Sequence, residues 1–105
     1  MATTGSSSGG STVTIPQGAG GPQQLNFGPA SLTVSAGATI TFSDQDTSAI
    51  HDVHFTSGPS GATLPPASPN LSKGSTFTVT LTAPGTYDYI CDYHPWMKGT
   101  ITVTG

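Results

Sequence analysis

The sequence contains no arginine and no glutamate, and charged residues make up only 7% of its 105 residues. Two lysines against five aspartates leave a formal net charge of −3 with histidine neutral. There is therefore no basic face to meet nucleic-acid phosphates, and that class of partner is excluded. The single cysteine, Cys91, rules out an intrachain disulfide. No apolar run is long enough for a signal-peptide core or a membrane span, and Met1 leads straight into A-T-T-G-S-S-S-G-G. We expect a chain that acts in the periplasm or outside the cell, with its export signal or lipid anchor removed.

What is present is rich in Thr, Ser, Gly and Pro, a composition that favours short strands and turns. Residues 1–10 can bury little apolar area; they read as a flexible Gly/Ser/Thr linker, able to tether the domain to a membrane. Residues 11–105 read as one domain with a modest core. Val13 and Ile15 mark a first strand and Leu25 and Phe27 a second. Leu32 and Val34 form a third, which the Ala36-Gly37 turn should join as a hairpin to Ala38–Ser43. Asp44 to Ser48 reads as a polar turn. From Ile50 to Phe55 the alternation puts His51, Val53 and Phe55 on one face and Asp52 and His54 on the other. The stretch 57–70, with four prolines and two glycines, is a surface connection. Phe77, Val79 and Leu81, then Tyr87, Tyr89 and Cys91, and finally Ile101 and Val103 complete about eight strands. The fold class is all-β, a single-domain Greek-key β-sandwich.

The chemistry gathers between Cys91 and Met97, where a thiol, the imidazole of His94 and a thioether fall within seven residues. These are not zinc-finger ligands. A cysteine, a histidine and a weak axial methionine are the donors of a blue-copper site, which lacks only a second imidazole. His51, forty residues upstream, supplies it if its strand lies beside that of Cys91. Taken singly, Cys91 is better explained as a small buried hydrophobe and His51 as a satisfied core histidine, and Met97 could be core filling. Their joint spacing in an all-β pattern favours the metal. His54 faces outward and is not expected to be a ligand.

From Pro29 to Val103 the chain resembles the cupredoxins, the type 1 blue copper proteins, in their amicyanin and plastocyanin branch. The resemblance rests on L-T-V-S-A-G-A-T-I-T-F, H-D-V-H-F, P-G-T-Y-D-Y-I-C and C-D-Y-H-P-W-M-K-G. It implies one copper ion cycling between Cu(I) and Cu(II) on His51, Cys91, His94 and Met97, with the short Cys-x2-His-x2-Met loop of the amicyanin type. Where that family usually has Asn after the first histidine, this chain has Asp52 beside the ligands. A carboxylate near copper favours Cu(II), and we expect it to lower the reduction potential. Trp96 reads equally as a ring folded over the site to exclude water and, with Pro95, as an apolar patch at the exposed edge of His94 that docks redox partner proteins as donor and acceptor; the two are compatible.

The function expected is one-electron transfer by a monomeric carrier with no enzymatic activity of its own. Two other readings share the ligand set: a copper-delivery module, and the detached electron-entry domain of a larger copper enzyme. Three histidines are too few for the additional metal clusters that such an enzyme carries. A cysteine hydrolase is excluded, because nothing beside Cys91 would orient a base or bind an oxyanion.

Overall fold

Alternation of apolar and polar residues produces seven strands in the computed structural model, which describes residues 11–105. The linker expected over residues 1–10 lies outside the described residues. The strands are β1 (Ser11–Ile15), β2 (Ser31–Ser35), β3 (Ala38–Asp44), β4 (His54–Ser57), β5 (Thr76–Leu81), β6 (Gly85–Ile90) and β7 (Lys98–Thr104). They make two sheets, one ordered β1-β3-β5 and the other β2-β7-β6-β4. β1 runs parallel to β3, with Val13 opposite Phe42, and β3 antiparallel to β5. In the second sheet β2 runs parallel to β7, while β7–β6 and β6–β4 are antiparallel.

Each strand turns its apolar set inward. In β3, Ala38, Ile40 and Phe42 are buried while Thr39 is exposed, and in β7 Ile101 and Val103 are buried. The centre of the sandwich is Tyr89 of β6. Its ring centroid lies 4.9 Å from Phe27, 5.2 Å from Phe42 and 5.4 Å from Phe55, so side chains of both sheets close on one ring. The pairs with Phe27 and Phe42 are edge-to-face, an arrangement that adds about 0.5–1.5 kcal/mol each beyond the area buried. Tyr87 Oη donates to Ala83 O at 2.8 Å, which ties the start of β6 to the turn before it.

Three expectations from the sequence are corrected. The segment Ser31–Asp44 is not a hairpin, since β2 and β3 belong to different sheets. At the turn the Ala36 N–H donates to Thr104 O and the Gly37 N–H to Leu81 O, so successive amides bond to opposite sheets. Gly37, at φ 89°, provides the left-handed backbone that this crossing needs. Leu25–Phe27 is not a strand: only Gly28 bridges β1, at Thr14, and the count of strands is seven among the described residues. The strand expected over Ile50–Phe55 is confined to β4, which begins at His54. Upstream, His51 and Leu71 exchange main-chain hydrogen bonds at 3.0 and 2.7 Å, and Ser68 bonds both main-chain groups of Val53. The 57–70 connection and its end at Leu71 thus take the place of a neighbouring strand.

Candidate metal centre

The ligand loop follows directly from β6. Cys91 is the next inward position after Tyr87 and Tyr89, and all three are buried. The loop then closes on itself: the Cys91 N–H donates to Met97 O at 3.1 Å, and the Met97 N–H to His94 O at 3.0 Å. Asn26 Oδ1 accepts the Lys98 N–H at 2.8 Å and pins the start of β7 behind it. His51 enters from the other side on the bridge to Leu71, which holds both its main-chain N–H and its C=O.

The expected ligands converge. Cys91 Sγ lies 3.8 Å from His51 Nδ1 and 3.5 Å from His94 Nδ1, and the three donor atoms all fall within 4.8 Å of one another. The two imidazole centroids are 4.7 Å apart. Met97 is fully buried at the far end of the loop. A metal ion fits between a thiol and two imidazoles so spaced, and this soft and borderline donor set is that of a single type 1 copper site.

Electrostatics prepare the donors. Burial pushes the Cys91 thiol up, against the main-chain N–H groups of Asp52 and Tyr93 that favour the thiolate; metal binding must therefore displace the thiol proton. Burial, and then the neighbouring His51, hold His94 below the ordinary histidine range, which keeps its imidazole neutral and able to coordinate. His51 Nε2 lies 2.6 Å from Asp46 Oδ2, both side chains fully buried. Burial alone would raise the Asp46 carboxyl, but hydrogen bonds from Ser48, His51 and Gly18 outweigh it and keep the group well below the carboxylate range. An ionised carboxylate at Nε2 makes that nitrogen the proton-bearing one and leaves Nδ1 free as the donor.

The other residues singled out divide. Asp52 is buried, contrary to the outward face it was expected to share with His54, and its Oδ1 accepts the Asp92 N–H at 2.7 Å. His54 does point away from the site, with Nδ1 3.1 Å from Asp92 Oδ1. Pro95 is exposed and Trp96 half-buried, its ring 5.1 Å from that of His94 and its Nε1–H donating to Ala19 O at 3.0 Å. Sequence reasoning missed Asp46, whose place in a polar D-Q-D-T-S turn gave no sign of burial. It also missed Ile50 and Tyr93, the two large exposed apolar residues among those described, each next in sequence to a histidine ligand.

A β-sandwich of this topology with a Cys-His-His-Met centre defines the cupredoxin class. Residues 13–104 match the family of copper binding proteins that includes plastocyanin and azurin, and the chain belongs to that family. It is 39% identical to amicyanin-alpha of Methylorubrum extorquens over 80 residues, which cover 76% of this chain and 66% of that one. It is 38% identical over 82 residues to the plastocyanin of Prochlorothrix hollandica, covering 73% and 62% respectively. The aligned part thus spans a little under two thirds of these relatives. Among solved structures, a purple cupredoxin from Nitrosopumilus maritimus superposes with a TM-score of 0.77 at 26% identity, over 90% of this chain and 99% of that one.

Proposed function

We propose that the protein is a one-electron carrier working through a single copper ion, not an enzyme. The observation that carries this reading is the convergence of Cys91 Sγ on the Nδ1 atoms of His51 and His94, at 3.8 and 3.5 Å. Bound copper would supply the reversible Cu(I)/Cu(II) couple, to which a trigonal thiolate and imidazole set with a distant thioether is suited in both states. His51 is held by its bridge to Leu71 and by Asp46, and the 91–97 loop by its internal hydrogen bonds. With the donors placed beforehand, little of the protein has to reorganise when the electron moves. Burial of Cys91 and His51 favours retention of the ion over delivery, which calls for exposed ligands that exchange readily.

The electron enters and leaves near His94, where Pro95 and the half-buried Trp96 meet redox partner proteins. Tyr93 and Ile50, about half exposed, add apolar area beside the ligands. The carrier works as a monomer in the periplasm or outside the cell, with residues 1–10 as a tether; the support for this is the lone thiol taken up by the metal and the tract's composition. The test is a titration of the metal-free protein with Cu(II). An intense thiolate-to-copper band that ascorbate abolishes, and that Cys91→Ser never develops, supports the carrier. A colourless protein that binds only Cu(I) rejects it.

A further inference from the structure

Asp46 is not a ligand, yet its fully buried carboxylate gathers five donors. Oδ2 faces His51 Nε2 at 2.6 Å and accepts the Gly20 N–H at 3.0 Å. Oδ1 accepts the Gly18 N–H at 2.9 Å, the Ser48 N–H at 2.9 Å and the Ser48 hydroxyl at 2.6 Å. The two glycines bracket Ala19, whose carbonyl takes the Trp96 Nε1–H at 3.0 Å. Gly20 also reaches the second histidine. A Cβ there would stand 3.1 Å from His94 Nε2 and would collide with Ala49 Cβ, so the bare backbone of this segment lies directly against the imidazole edge. One carboxylate thereby touches His51 and, through three residues of main chain, reaches His94 and Trp96.

We propose that Asp46 is a positioning residue that sets both imidazoles at once, turning His51 so that Nδ1 faces Cys91 and clamping Gly18–Gly20 over His94 and Trp96. The proposal rests on the copper-site reading above. Its chemistry is specific to a carboxylate. The Asn amide has one acceptor oxygen and two N–H donors, so at position 46 it would point a donor at groups that themselves donate. A carboxylate on the far nitrogen of a ligand imidazole also raises the basicity of the coordinating one, and loss of such a partner typically costs about 10- to 100-fold in metal affinity.

Asp46→Asn and Ser48→Ala test this with four readings: the visible spectrum, the reduction potential, the rate of Cu(II) loss to excess chelator, and the emission of Trp96, the only tryptophan, in the metal-free protein. Asp46→Asn is expected to keep an intense band, to have a higher potential and to release Cu(II) at least about ten-fold faster. Its Trp96 emission should shift to the red as the Gly18–Gly20 segment lets go of the indole. Ser48→Ala leaves one donor fewer on Oδ1 and more negative charge for His51, so its potential should fall below wild type. Loosening of the structure alone would move both variants the same way. Wild-type potential and release rate in Asp46→Asn, or shifts of equal sign in the two variants, overturn the proposal. If Asp46→Asn does not fold, a Ser48→Ala potential at or above wild type overturns it. Absence of an intense band in the wild-type protein would instead defeat the copper reading, and Trp96 emission in the metal-free variants would then decide the clamp alone.

Discussion

Asp52 and Asp92 are joined across forty residues: the Asp92 N–H donates to Asp52 Oδ1 at 2.7 Å, tying the segment that carries His51 to the loop that carries Cys91. Burial, and then the adjoining Asp92, raise the Asp52 carboxyl above its ordinary range. An Asn at position 52 presents the same carbonyl acceptor without the charge. Asp52→Asn is therefore expected to retain the loop and raise the reduction potential in voltammetry. An unchanged or lower potential would show that the carboxyl exerts no net charge on the copper.

Gly99 stands opposite Tyr89 in the β6–β7 register, and a Cβ at Gly99 would fall on the tyrosine ring. That ring cannot retreat, because Phe27, Phe42 and Phe55 surround it. Gly99→Ala should cost about 3 kcal/mol in urea unfolding, at the upper end of overpacking effects. Tyr89→Phe should do the reverse. Tyr89 Oη is buried with no hydrogen-bond partner among the described residues, and deleting it removes a desolvation penalty of about 1–3 kcal/mol. A Tyr89→Phe protein less stable than wild type would point to a partner for that hydroxyl.

Asp44 is fully buried, its Oδ2 has no hydrogen-bond partner among the described residues, and desolvation raises its carboxyl from the ordinary 3.8. A folded-state value above the unfolded one stabilises the protein fully below about pH 4, and that contribution is lost as pH rises through the folded value. Asp44→Asn should accordingly be more stable than wild type at pH 7. The gain should vanish below about pH 4. Unfolding free energies measured across pH 3–8 check both the sign and the window; a variant less stable at pH 7 would show that the charge is compensated.

Electron self-exchange between copies of the protein examines the apolar face without a natural partner. With two lysines and five aspartates in the chain, the rate should change by less than about three-fold between low and high salt. Trp96→Ala should slow it by about ten-fold, the effect of losing a modest interface anchor. NMR line broadening in mixtures of the two oxidation states gives these rates. A steep dependence on ionic strength would mean that charge governs the approach.

The donor set was legible in the chain because its spacing is local. Cys91, His94 and Met97 share a loop that seven residues close through their own main-chain hydrogen bonds. The inward faces of β3, β5, β6 and β7 were equally readable, since a strand alternates its side chains whatever it pairs with. Strand pairing was not. Leu32–Val34 and Ala38–Ser43 look like the arms of a hairpin, yet Ala36 and Gly37 bond to Thr104 and Leu81 in opposite sheets. Asp44 and Asp46 look like parts of an exposed turn, yet both are buried.

From its sequence alone this protein determined which atoms could hold a metal and how closely three of them must lie, because ligand chemistry and short-loop geometry depend on residue type and spacing. Tertiary structure alone decided that His51 meets them with Nδ1 forward, and that Asp46 faces its other nitrogen. Those outcomes depend on contacts between residues far apart in the chain, such as His51 with Leu71 and Gly18 with Asp46, which form only when the two sheets pack.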